Sequence, residues 1–301
     1  MAFNWKTFWT RTFTGAVFIA VMLTGLLWNH WSFLTLFTVI HFGCWWEYLK
    51  LMEKIHRMIF HPYVKMGLMV MGYGLMLWFC GLAYEIKGYG LKENLSLPVS
   101  AAGFALILIG IFHKTAVTLK SFGAAAAGLL YISFSWGLMV GLRSSDLFFV
   151  KVKESFSDDS WQYSIMIIVS IWINDTMAYL IGSMIGKTPL SKISPKKTWE
   201  GTIGGIILSV LIMFLIYRFS NPDLFNHTPD KNIFFYKDWI FIPLITSVAG
   251  IVGDLFESKL KRMADVKDSG RLMPGHGGFL DRFDSMLFAT PFVWLYVLFF
   301  A

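Results

Sequence analysis
The chain has 301 residues, of which 56% are hydrophobic and 15% charged, with a mean hydropathy of +0.58. This composition excludes a soluble globular protein and leaves no room for a separate soluble domain. The net charge of +7 does not point to nucleic acid, because the basic residues fall in alternate loops and no DNA- or RNA-binding module is present.

Apolar runs of about 18 residues or more mark membrane-spanning helices, since only such lengths cross about 30 Å of hydrocarbon. Taken in order, the runs predict spans at 12–28, 32–49, 64–84, 98–113, 122–142, 162–185, 202–219, 239–257 and 279–300. The fold class is therefore all-α and polytopic, with about nine transmembrane helices. Residues 1–160 hold about five of them, and 161–301 carry the polar motifs within the same continuous membrane domain. The first run follows Lys6 and Arg11 without a small-residue cleavage site, and reads as a retained helix rather than a signal peptide. The fourth is the shortest and weakest. Cys44 and Cys80 both lie in apolar segments, so neither a disulfide framework nor a zinc site is indicated. Ala124–Ala127, flanked by Gly123 and Gly128, is a small-residue patch suited to close helix packing.

Orientation follows from the basic residues. With the N-terminus in the cytoplasm, 18 of the 26 Lys and Arg lie in cytoplasmic segments. The N-terminus is then cytoplasmic, the C-terminus external, and a polar cavity is expected on the cytoplasmic side.

The polar chemistry is concentrated in three stretches. Residues 253–285 place Asp254, Glu257, Asp265, Asp268, Asp281 and Asp284 among Lys259, Lys261, Arg262, Lys267, Arg271 and Arg282. Carboxylates together with cations suggest a metal-bound polyphosphate; the plain alternative is a solvated loop between helices. Asp254 and Glu257 are three apart and share a helix face, as do Asp281 and Asp284. Facing acids on two helices suit Mg²⁺, which takes one or two carboxylates beside phosphates and water. Asp284 could instead cap its helix or pair with Arg282. Asp175 lies inside the sixth span beside Asn174, either as helix-packing glue or as a site facing the bundle interior.

The third stretch, 186–201, contains Ser194, Lys196, Lys197, Thr198 and Glu200 just before a helix start. Hydroxyls and paired lysines there suit phosphate oxygens or an anionic headgroup, and equally a positive-inside anchor. Gly186-Lys187-Thr188 imitates the end of a phosphate-binding nucleotide loop, but Ile181 stands where that loop needs glycine, and the match fails.

Together these stretches resemble the phosphatidate cytidylyltransferase (CDP-diacylglycerol synthase) family. Ser258-x-x-Lys261-Arg262, Lys267-Asp268 and Pro274-x-His276-Gly277-Gly278-x-x-Asp281-Arg282-x-Asp284 follow its C-terminal signature. Asp175-x-x-Ala178-Tyr179-x-x-Gly182 and Ser194-Pro195-Lys196-Lys197-Thr198-x-Glu200-Gly201 are similar to its other two blocks. The resemblance covers about 175–285; the first 160 residues match only as a helical membrane region. It implies the reaction of CTP with phosphatidate to give CDP-diacylglycerol and pyrophosphate, at the cytoplasmic face of the cell membrane. It also implies Mg²⁺ on Asp254, Asp281 and Asp284. Lys261, Arg262, Lys267, Arg282, Lys196 and Lys197 would then bind phosphate, with Asp268 among the catalytic residues. Backbone N–H groups of the Gly277–Gly278 turn would approach phosphate. His276 would donate to phosphate or cytosine, or fix the turn. Roles for Asp175, Glu200 and Glu257 are left open. The family also raises a second, monovalent cation such as K⁺ and a homodimer, neither of which the sequence itself shows.

Rival classes give different expectations. A transporter would spread its charges through the bilayer depth, whereas here, Asp175 apart, they gather at one face. A CTP-using lipid kinase would transfer the γ-phosphoryl group to an alcohol. A CDP-alcohol phosphotransferase is disfavoured because Ser285, not glycine, follows Asp284.

Overall fold
The computed structural model describes residues 5–113, 118–144, 146–147, 150–151, 161–220, 233–270 and 277–300. Nine long helices account for almost all of them: α1 (Trp5–Leu27), α2 (His30–His56), α3 (Pro62–Leu77), α4 (Leu91–Phe112), α5 (Leu119–Ser144), α6 (Trp161–Ile185), α7 (Trp199–Ser220), α8 (Ile233–Met263) and α9 (Leu280–Phe300). Among the described residues the strands are two hairpins of two residues a side. Among the described residues six helices, α4 to α9, are long and apolar enough to cross a membrane. The protein is polytopic.

α2 and α3 fall short of that standard for different reasons. α3 has 16 residues, and α2 carries Glu47, Lys50, Glu53 and Lys54 in its C-terminal half.

Local chemistry sets the ends. Asn29 and Ser32 form a capping box at the start of α2, and Thr118 with Ser121 does the same for α5. Pro62 opens α3, where a missing N–H costs nothing. The expected span 64–84 stops at Leu77. Beyond it Gly81 is extended, and a tight hairpin turns through Lys87 and Gly88, both at positive φ (51° and 83°). The fourth span, expected to be the weakest, is the most apolar of the six and starts earlier than its run of apolar residues. In turn α8 outlasts its predicted end by six residues and takes Ser258, Lys261 and Arg262 onto helix. Two cations in a last turn complement the carbonyl end of the helix dipole.

The chain forms two compact units, the first comprising residues 1–161 and 260–283, the second 162–259 and 284–301. In the first unit α3 and α4 approach until a Cβ on Gly67 would lie 2.6 Å from the Gly103 carbonyl oxygen. Lipid tails are as apolar as leucine, so within a bilayer such small-residue seams and buried polar bonds must hold helices together. One such bond is Trp45 Nε1 donating to Ser133 Oγ at 2.8 Å. A turn of π-helix at Leu129–Phe134 carries Ser133. Phe37, Trp136 and Phe283 also pack in sequence, tilted and then edge to face, with ring centroids 5.0 and 5.7 Å apart.

The second unit has an equivalent seam between α6 and α7. A Cβ on Gly201 would lie 2.6 Å from the Ala178 carbonyl oxygen, and one on Gly205 would lie 2.9 Å from that of Asn174. Higher up, Ser209 donates to the Ser170 carbonyl at 3.1 Å. Near the other end of this unit the buried Asp238 accepts from Tyr296 at 2.9 Å and Tyr163 at 3.4 Å.

Candidate active site
Close packing of α6 on α7 brings two of the polar stretches together. Between the helices, residues 186–198 fold back on themselves: Leu190 N–H donates to the Lys197 carbonyl at 2.7 Å, and Trp199 N–H to that of Thr188 at 2.9 Å. Glu200 braces the turn from α7, accepting from the backbone N–H groups of Lys187 and Thr188 at 3.2 Å each. Thr198 is the N-cap of α7, its hydroxyl accepting from Gly201 N–H at 3.2 Å.

Beside this turn lies a cavity of about 500 Å³, lined by Asp175 and Tyr179 of α6, Ser194, Lys196, Lys197 and Thr198 of the turn, and Asp254 of α8. Lys197 forms an ion pair with Asp254, and Ser258 Oγ donates to the same carboxylate at 3.4 Å. The N-terminus of α7 starts here, bringing the positive end of a helix dipole. Cations, a helix N-terminus and two carboxylates around one space suit a phosphate chain carrying a metal ion. Glu257, which shares a face with Asp254 in the sequence, is fully buried and does not line this cavity.

In the first unit the signature is built around Asp281. Its carboxylate accepts from Lys261 Nζ at 2.7 Å, Gly278 N–H at 2.8 Å, and the N–H and hydroxyl of Ser269 at 2.9 Å each. Gly277 sits at φ 86°, where a side chain would be strained and a Cβ would crowd Asp281 at 2.7 Å. Asp268 and Ser269 line a second cavity of about 620 Å³ together with Lys50, Lys54 and Arg57. Arg262, Lys267 and Arg282 are exposed. Asp284, in the second unit, is buried and accepts from Ser285 N–H at 2.7 Å. His276 lies outside the described residues.

One acid the sequence reading passed over belongs with this signature. Glu47 of α2 is buried and accepts from Ser269 Oγ at 2.7 Å, Leu280 N–H at 2.9 Å and Phe279 N–H at 3.0 Å. A carboxylate inside the second apolar run was the available signal, of the same kind that drew attention to Asp175.

The donor set fits Mg²⁺ better than a softer metal. Both cysteines are buried, and the candidate ligands are carboxylate oxygens. Among the described residues no three His, Cys, Asp or Glu gather into a ready-made metal cluster.

A model of the cytidylyltransferase family matches residues 9–300. The chain is 31% identical over 296 residues to the phosphatidate cytidylyltransferase of Haemophilus influenzae, covering 94% of this chain and 96% of that protein. It is 35% identical over 222 residues to the Bacillus subtilis phosphatidate cytidylyltransferase (73% and 75% covered), and 33% over 255 residues to that of Staphylococcus saprophyticus (79% and 93%). With nearly its whole length matched, the chain belongs to the cytidylyltransferase family.

Proposed function
We propose that this protein transfers the cytidylyl group of CTP to phosphatidate, forming CDP-diacylglycerol and releasing pyrophosphate. The observation that carries the reading is the cavity holding Asp175, Asp254, Lys196 and Lys197 in a helical unit otherwise made of apolar spans. A lipid substrate need not leave the bilayer to reach such a place.

An oxygen of the lipid phosphate, already ionised near neutral pH, attacks the α-phosphorus of CTP as the bond to the β-phosphate oxygen breaks. No strong general base is required; positioning and charge stabilisation carry the step. Asp254, Asp281 and Asp284 are the proposed Mg²⁺ ligands. Bound there, the ion would neutralise the triphosphate oxygens. Lys196 and Lys197 meet phosphate oxygens in the cavity, and the N-terminus of α7 adds the positive end of its dipole. Lys261, Arg262, Lys267 and Arg282 serve the departing pyrophosphate. Lys197 and Lys261 neutralise Asp254 and Asp281, so neither carboxylate is left uncompensated. The positive-inside count supports an N-terminus in the cytoplasm, with the turn at 186–198 and the signature on that side and CTP arriving from there.

Purified protein in phosphatidate-containing micelles, given CTP labelled at either the α- or the γ-phosphorus, tests the reading. Label from the α-position should enter lipid, and chelation of Mg²⁺ should stop it. Lipid labelled from the γ-position would make the protein a kinase instead, and no labelled lipid from either would refute the proposal.

A further inference from the structure
We infer that Glu47 is a positioning residue: from α2, it fixes the two ends of the 269–280 segment that leads into Asp281. The side chain is 5% exposed, and its hydrogen-bond donors are one hydroxyl and two backbone N–H groups. Burying a carboxylate is costly unless its oxygens are satisfied, and an apolar residue would fill the space more cheaply.

The donors explain the choice. Phe279 N–H and Leu280 N–H are orphan groups at the start of α9, which no carbonyl of that helix can reach. Glu47 supplies the acceptor from a distant part of the chain, as an anion at the positive end of the helix. The third donor, Ser269, stands at the other end of the segment and also contacts Asp281 at 2.9 Å. One carboxylate therefore grips both flanks of the signature turn, next to the proposed metal ligand.

The glycines give independent support. A Cβ added to Gly270 or to Gly278 would run into the Glu47 carboxylate. Both positions thus lack a side chain where Glu47 enters, one of them in the signature itself.

The kinetic consequence rests on the cytidylyltransferase reading; the structural one does not. Glu47→Gln preserves shape but turns an N–H₂ donor toward groups that are themselves donors. Hydrogen exchange of the Phe279 and Leu280 amides should then rise about 10-fold or more in Glu47→Gln, with the α6–α7 amides unchanged. In the same protein kcat should fall about 100-fold, as expected when a reacting group is displaced by an ångström or so. KM for phosphatidate should stay within about 2-fold, and Glu47→Asp should recover part of the loss. Ser269→Ala should lower kcat too. Combined with Glu47→Gln it should cost less than the product of the two, because both act through one contact.

Unchanged exchange at Phe279 and Leu280, or additive kinetic effects, would overturn the inference. So would accelerated exchange spread evenly over the protein, which marks a merely structural role. Should Glu47→Gln fail to fold, Ser269→Ala decides alone, and normal exchange and kcat in that variant sink the proposal. A wild-type protein making no CDP-diacylglycerol would instead refute the functional reading and leave the exchange result standing.

Discussion

The lysines paired with Asp254 and Asp281 are the residues whose replacement separates substrate binding from scaffolding. Lys261 and Asp281 are 15% and 10% exposed, whereas Lys197 and Asp254 are about twice as open to solvent. Removing one partner of a buried pair strands the other charge, while an exposed pair is worth little. Lys197→Ala should therefore fold normally and weaken CTP use about 10-fold or more, with Lys197→Arg less affected; steady-state kinetics in mixed micelles would check this. Kinetics indistinguishable from wild type would make the 186–198 turn a topological anchor only. Asp281→Ala should abolish CDP-diacylglycerol formation, a loss of at least about 10³-fold, while membrane insertion continues. Near-normal turnover in that variant would refute its role as a metal ligand.

At the scale of elements, the cavity depends on how closely α6 approaches α7. Gly201 allows that approach, and the neighbours of its missing Cβ are backbone atoms that cannot swing aside: the Ala178 carbonyl at 2.6 Å and the Gly182 Cα at 2.9 Å. Gly201→Ala should therefore destabilise the protein by about 1–3 kcal/mol through overpacking. Activity should fall with it, because Asp175 and Thr198 lie on opposite sides of the same seam. Gly123→Ala provides the contrast. Nothing lies within 4 Å of the site of its Cβ, and alanine favours helix, so stability and activity should hold or improve slightly. Thermal melting in detergent beside turnover distinguishes the two variants. Equal effects would mean that the seam does not set the cavity.

For the molecule as a whole, helix positions were legible because a bilayer imposes one length and one composition on whatever crosses it. The nine apolar runs each correspond to a helix. Misjudged ends, at Leu77 and Met263, lie where a glycine turn or a charged helical extension takes over from apolar pattern. Of the site, Lys197 and Asp254 stood out separately by residue type near helix ends, while their pairing is visible only in the structure. The contacts of Glu47 with Ser269, Phe279 and Leu280 could not, since more than 200 residues separate the partners and no periodicity links them. Sidedness remains a matter of charge counting, and cysteine labelling puts it to the test. Cys44 and Cys80 are 0% and 1% exposed, so an impermeant thiol reagent should leave both untouched. A single cysteine at Lys192, in the turn beside the cavity, should react only after cells are permeabilised. One at Lys87, at the tip of the Glu85–Gly90 hairpin, should react in intact cells. Reversal of that pattern would turn the Lys196–Lys197 turn away from the cytoplasm, and CTP could no longer reach the residues proposed to bind it.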